Sequence, residues 1–213
     1  MKRTYRTLLL DLGGVLIDVD YRATADAFRD VGVRNFEALY SKAQQTDIFD
    51  RFETGELSAQ DFRDAVRRIT MVGLDDGVID RCWNAMLGTV PRPRISLLQR
   101  LRKHHRLLLL SNTNAIHVPA FEQRIAEDLG IGSFTDLFHG AHYSCHIGLR
   151  KPHVEAFRYV LSLHDADPAT TLFVDDSMQH VEGARRAGLH AEHLDLEKED
   201  IQALCTRVGL DEL

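Results

Sequence analysis

Three short apolar runs in this chain each stop abruptly on a polar residue. They are Thr7-Leu8-Leu9-Leu10 before Asp11, Arg106-Leu107-Leu108-Leu109-Leu110 before Ser111, and Thr171-Leu172-Phe173-Val174 before Asp175-Asp176. None alternates apolar with polar residues, so each reads as a strand buried on both faces, the pattern of a parallel sheet covered by helices on either side. Open sheets of that kind place their ligands outside the carboxyl ends of the strands. If the three strands lie side by side, their polar terminal residues meet at one edge. Gly13 and Gly14, after the first run, let the backbone turn sharply and approach a ligand closely.

Between the first and second runs the pattern changes. Apolar residues recur at helical spacing: Ala23, Ala27, Phe28 and Val31; Phe36, Leu39, Tyr40 and Ala43; Phe62, Ala65, Val66 and Ile69; Val78, Ile79, Cys82, Trp83 and Met86. This predicts about four helices and no strand. Ser58 with Asp61 three residues on is a capping-box signature. After Pro91 and Pro93, strands and helices alternate. Helices are expected over 93–103, 121–129, 152–163, 178–187 and 201–208, with Pro152 in the first turn of its helix. Leu137 to Gly140 and Ala191 to Leu194 read as further short strands. The fold class is therefore α/β, a doubly wound parallel sheet with a helical insertion after strand one. The expected division is a core of 1–20 and 90–213 and a helical cap of 21–89.

Composition narrows the function. A net charge of −6, with Lys and Arg scattered, argues against a nucleic-acid partner. Cys82, Cys145 and Cys205 form no CxxC pair, which disfavours a disulfide framework or structural zinc. The apolar run after Met1-Lys2-Arg3 is broken by Asp11 and followed by no small-residue cleavage site, and nothing approaches the roughly 18 apolar residues of a membrane span. A cytoplasmic protein, monomeric or homodimeric, is expected.

The chemistry follows from the convergence. Asp11, Asp175 and Asp176 would crowd three carboxylates together, and oxygen ligands in that number suit a hard divalent cation such as Mg²⁺. Ser111, the backbone amides after it and Lys151 offer donors and positive charge to an anion. Metal, serine and lysine together equip a site for a phosphate group, with Asp11 placed to attack phosphorus.

These residues resemble the motifs of the haloacid dehalogenase superfamily: Asp11-Leu12-Gly13-Gly14-Val15, Ser111, Lys151 and Asp175-Asp176, in the right order and spacing over nearly the whole chain. The resemblance implies that Asp11 is the nucleophile and a metal ligand. It implies further ligands in the Gly13 carbonyl, Asp176 and Asp175, the last directly or through water. Ser111 and Asn112 would hold phosphate, and Lys151 both phosphate and the Asp11 carboxylate. The implied activity is Mg²⁺-dependent hydrolysis of a small phosphorylated metabolite, a sugar phosphate among the candidates, through an aspartyl-phosphate. The pattern departs from the family at Gly13, where its phosphatases carry a second Asp that protonates the leaving group and later activates water. Asp-x-Gly-Gly with Ser-Asn-Thr-Asn and Arg-Lys-Pro resembles a subgroup that includes α-D-glucose-1-phosphate phosphatases. Two alternatives stand beside it: an impaired phosphate-binding or regulatory protein, and a dehalogenase, against which the acidic pair argues.

Other polar residues have blander readings. Ser177 suits a helix N-cap, and His180 a partly exposed helix position from which it could reach the site. Asn114 suits a turn, and Trp83 the core. His139, His142 and His146 around Cys145 are spaced like ligands but sit in a strand-and-loop segment. Glu53 and Arg51 are candidates to overhang the site and choose the substrate.

Overall fold

The computed structural model describes residues 4–34, 36–39, 47–130 and 132–210. Five parallel strands form one sheet in the order β3-β2-β1-β4-β5. They are β1 (Thr7–Leu10), β2 (Arg106–Ser111), β3 (Gly140–Tyr143), β4 (Thr171–Asp175) and β5 (His190–His193). β1 is central, with Leu10 opposite Leu109 of β2 and Val174 of β4. The three sequence runs are thus neighbours, and Asp11, Ser111 and Asp175 share the carboxyl edge.

The interiors of β1, β2 and β4 are apolar throughout because both faces are covered. Leu8, Leu10, Leu107, Leu109, Leu172 and Val174 pack on one side against α6 (Arg92–Leu101), α7 (His117–Leu129) and α11 (Ile201–Val208). Leu9, Leu108, Leu110 and Phe173 pack on the other against α9 (Val154–Leu163) and α10 (Met178–Arg186). Burying a Leu or Phe side chain contributes about 1.5–3 kcal/mol, so both covered faces hold the central strands in place.

Between β1 and α6 lie α1 (Tyr21–Asp30), α2 (Phe36–Leu39), α3 (Asp47–Glu53), α4 (Ala59–Thr70) and α5 (Asp76–Asn84). They carry a hydrophobic cluster of their own, built on Phe28, Phe36, Phe49, Phe52, Phe62 and Trp83. Phe52 and Phe62 stack at 4.2 Å, and Phe49 and Trp83 at 5.4 Å. The chain enters and leaves this layer through two paired segments: Val19 bridges Leu87, Asp20 N donates to Met86 O (2.9 Å) and Gly88 N to Asp18 O (2.8 Å). The Ser58–Asp61 capping box forms in both directions at the start of α4.

Several expectations shift. The helical segment holds five described helices rather than four; Tyr40 and Ala43 of the expected pattern lie outside the described residues. The third strand is Gly140–Tyr143, because Phe134–Leu137 forms a 3₁₀ turn whose Phe134 and Leu137 are buried. The short apolar stretch there could not distinguish the two. α7 begins at His117, not at Phe121, since Asn114 Oδ1 accepts from the amides of Ile116 (3.1 Å) and His117 (3.0 Å) and starts the helix early. Pro152 lies before α9, which starts at Val154, and the Lys151–Pro152 peptide is cis. α8 (Ser144–Ile147) is a single turn after β3 that reads as loop in the sequence.

Candidate functional site

Lys151 sits under the carboxyl edge with no solvent exposure. Its Nζ donates to Asp11 Oδ1 at 2.6 Å and to Asp175 Oδ2 at 2.7 Å, which ties the end of β1 to the end of β4. Asn112 holds the lysine in place from β2: Lys151 N donates to Asn112 Oδ1 and Asn112 Nδ2 donates to Lys151 O, both at 2.9 Å. An ammonium is buried only when it is paired, and two carboxylates supply the pairing here.

Asp175 accepts three sets of hydrogen bonds. Besides Lys151, Ser177 N donates to Oδ1 (2.7 Å) and His180 Nδ1 lies 3.0 Å from both oxygens. Burial alone would raise this carboxyl; Lys151 and His180 outweigh it and hold it down at about 2. Asp11 goes the other way. Burial, and then the Asp175 charge, push it up to about 7 against the pull of Lys151. The remaining acid, Asp176, lies against the turn after β1. A Cβ on Gly14, where φ is +75°, would come 2.5 Å from Asp176 Oδ2, so only glycine lets the two segments meet.

One oxygen from each of Asp11, Asp175 and Asp176 fits within 4.8 Å of the others, the one such group that could hold a metal among the described residues. The Lys151 ammonium is bonded to two of these carboxylates, and Asp176 brings a third to the same place. Closely set carboxylate oxygens fit a hard divalent cation.

Above this edge lies a cavity of about 180 Å³. Its floor is Asp11, Gly13, Ser111, Asn112, Lys151 and Asp176. Ser111, the last residue of β2, is 3 % exposed. The opposite wall comes from the helical layer, with Tyr21, Phe49, Glu53, Trp83 and Met86, and Arg150, His117, Gln179 and His180 also line the cavity.

The structure brings together Asp11, Gly13, Ser111, Asn112, Lys151 and Asp176 around one cavity, with Asp175 bonded beneath Lys151. His180 joins them rather than standing apart. Ser177 occupies the N-cap position of α10, yet its side chain makes no capping bond and its amide serves Asp175. Arg51 does not line the cavity; it pairs at the surface with Glu56 (3.4 Å). The histidines near Cys145 are used otherwise: His142 Nε2 is 2.8 Å from His164 Nε2, and His139 Nδ1 accepts from Leu107 N.

Three lining residues stand outside the set of site residues expected from the sequence. Arg150 pairs with Asp50 and lies 3.0 Å from Glu53 Oε2, contacts about a hundred residues apart that carry no local signal. Trp83 is core and wall at once: it stacks on His117 at 5.2 Å and donates from Nε1 to Asn114 Oδ1 (3.3 Å). His117 is 6 % exposed, donates from Nδ1 to Asn84 Oδ1 (2.9 Å) and is driven down to about 3 by burial. Asn114 therefore both starts α7 and ties the helical layer to the sheet layer.

Known proteins share this architecture. A D-ribitol-5-phosphate phosphatase of Bacteroides thetaiotaomicron is 27% identical over 86% of this chain and 88% of its own length. A sesquiterpene phosphatase of Aspergillus oryzae is 28% identical over 91% and 92%. A wild-type enzyme of B. thetaiotaomicron, solved with magnesium and inorganic phosphate, superposes with a TM-score of 0.86 at 32% identity, covering 94% of this chain and 98% of that one. The haloacid dehalogenase-like hydrolase model matches residues 5–188, a span that runs from β1 to the end of α10 and takes in every residue of the cavity floor. The chain belongs to the haloacid dehalogenase-like hydrolases.

Proposed function

We propose that the protein is a Mg²⁺-dependent phosphomonoester hydrolase that acts on a small phosphorylated metabolite and passes the phosphoryl group through Asp11. The observation that carries this reading is the buried Lys151 ammonium, shared at 2.6 and 2.7 Å between a cavity-facing carboxylate and a buried one. A pure phosphate binder has no use for a carboxylate held beside the anion. In this reading Asp11 and Asp176, with the Gly13 carbonyl, would hold the ion. The oxygens of Asp175 already accept from three groups, which favours contact through water. The bound ion would supply Lewis-acid stabilisation of charge on the phosphate and neutralise the Asp11 carboxylate.

The chain's own residues do the rest. Lys151 and the Ser111 hydroxyl receive phosphate oxygens, together with the backbone amide that follows Ser111. The Asn112 side chain, bonded at both ends to the Lys151 backbone, fixes the ammonium rather than reaching the anion. Asp11 Oδ is held by Lys151 in one orientation, which favours in-line attack on phosphorus. Residues 21–89 act as a cap whose side chains meet the organic part of the substrate, and 1–20 with 90–213 act as the catalytic core.

Magnesium bound to a solved relative and the phosphatase activities named for two others support this reading. The leaving group is set by Gly13, which offers no acid. Either the ester oxygen is anomeric and leaves with little help, as in a sugar 1-phosphate, or another cavity group protonates it. Comparing kcat/KM for glucose 1-phosphate and glucose 6-phosphate separates the two branches. The hydrolase reading is tested with a panel of phosphorylated metabolites in Mg²⁺ and in EDTA, with Asp11→Asn as the blank. Turnover that survives EDTA or the Asp11→Asn change would overturn it; so would a failure to trap beryllofluoride on Asp11.

A further inference from the structure

Resting on the hydrolase reading above, we propose that Glu53 is the acid and base of the reaction, supplying from the helical layer the proton that Gly13 cannot. Glu53 ends α3 and lines the same cavity as Asp11. Its neighbour Phe52 is rooted in the aromatic cluster, 1 % exposed. The turn after it is pressed onto the other layer: a Cβ on Gly55, where φ is +73°, would lie 2.3 Å from Cys145 O. The carboxyl end of α3 is therefore held against the cavity from both sides.

The Glu53 carboxyl is built for exchange of a proton rather than for a fixed bond. Its side chain is 18 % exposed. Arg150 Nη2 stands 3.0 Å from Oε2, yet the angle gives no hydrogen bond, and Oε2 is buried without a hydrogen-bonding partner. The charged and titratable groups facing it are Arg150, Asp50 and Lys151, with Cys145 behind. Burial pushes Glu53 up to about 7, against the opposing pull of Arg150, so both protonation states are present at neutral pH. The other cavity groups are occupied. Asp11 and Asp176 belong to the phosphate side, His180 is bonded to Asp175, and His117 is bonded to Asn84 under Trp83.

The step balances without a further reagent. An Asp11 oxygen forms a bond to phosphorus as the bond from phosphorus to the ester oxygen breaks. The electron pair goes to that oxygen, which takes the Glu53 proton and leaves as an alcohol. The Glu53 carboxylate, now paired with Arg150, removes a proton from water as the water attacks phosphorus. The Asp11–phosphorus bond breaks, giving inorganic phosphate and restoring both carboxyl groups.

Glu53→Gln keeps the shape and removes the proton, and its signature lies in the leaving group. The measurement is kcat/KM, which reports steps through transfer to Asp11, for the best alkyl phosphate of the panel and for p-nitrophenyl phosphate, whose leaving group needs no proton. Glu53→Gln is expected to lower the alkyl value by about 10²-fold and the aryl value at least tenfold less. It should also flatten the high-pH limb of the alkyl profile, where wild type falls as Glu53 loses its proton. Equal losses on both esters, or no loss on either, would overturn the proposal. Asp11→Asn separates this from failure of the underlying reading: it should abolish both esters, and residual aryl turnover there would sink the aspartyl-phosphate route instead.

Discussion

The cavity has two halves of opposite construction. The sheet edge is charged and closed: Lys151 and Asp175 are fully buried, Asp11 is 7 % exposed, and hydrogen bonds from the Lys151 loop fix the two carboxylates at the strand ends. The helical layer is aromatic, and its polar groups at the cavity are few and only partly paired. A site that must hold a phosphoryl group in one geometry needs the first kind of wall, since catalysis by positioning fails with displacements near an ångström. A site that must accept one organic group and exclude others needs the second, where shape and a few polar contacts discriminate. The two halves meet at Arg150-Lys151: Lys151 turns down to Asp11 and Asp175, and Arg150 turns up to Asp50 and Glu53.

Substitutions on the two sides should therefore fail differently. The largest effect is expected from Asp11→Asn, roughly a 10⁴-fold or greater loss of kcat/KM with little change in thermal stability, because the amide relieves a carboxyl that burial disfavours. A large drop in Tm would instead make Asp11 a structural anchor. On the opposite wall Trp83→Ala should cost about 3–5 kcal/mol in denaturant unfolding. Its ring is 3 % exposed and stacked on both Phe49 and His117. Its kinetic signature should lie in KM more than in kcat. A kcat loss as deep as that of Asp11→Asn would erase the distinction between the two halves.

The sheet edge was far more legible in the sequence than the helical wall. Asp11, Ser111 and Asp175 each end an apolar run, so local pattern and the parallel-sheet rule together place them. Lys151 is legible as a cation for an anion, but a lysine in a loop carries no local mark of its pairing with Asp11, which only the family resemblance implies. The bond from Lys151 to Asp175 was out of reach, as was the use of the Asn112 amide to fix the Lys151 backbone. Both depend on how a loop before α9 folds back under the sheet edge. The aromatic wall has the periodicity of core and is buried, yet periodicity does not say which core residues border a cavity. Trp83 and Phe49 do both. Arg150 and Glu53 are 97 positions apart in the numbering, and only tertiary structure pairs them.

The junction of the two halves should be sensitive to acid. His117 is held neutral, down to about 3 from an ordinary 6.5, because burial disfavours the cation. The unfolded chain binds a proton that the folded chain does not, so stability is complete above about pH 6.5 and falls as pH drops toward 3. By pH 5 this one group accounts for about 2 kcal/mol. Other groups titrate over the same range, so the informative quantity is a difference. His117→Asn keeps a donor for Asn84 and cannot ionise. Its loss of unfolding free energy between pH 7 and pH 5 should be smaller than that of wild type by about 2 kcal/mol. Equal losses would mean that His117 is protonated in the folded state and that the junction is wetter than its 6 % exposure indicates.

The smallest effect asked for moves a function from one half to the other. A Cβ on Gly13 would meet only Val19 Cγ2, at 3.3 Å, and the backbone there is in an ordinary region, so a side chain fits with a small shift of Val19. If Glu53 supplies the proton from the helical layer, placing a carboxyl on the sheet edge should replace it in part. Gly13→Asp introduced into Glu53→Gln is expected to recover alkyl-phosphate kcat/KM by about tenfold, close to 1.4 kcal/mol in barrier, without a matching gain on p-nitrophenyl phosphate. Recovery on both esters alike would point to altered binding of the cation or the phosphate. No recovery, in a double variant that unfolds at the same temperature as its parent, would mean that the leaving oxygen lies out of reach of position 13, and that the two halves of this cavity cannot exchange roles.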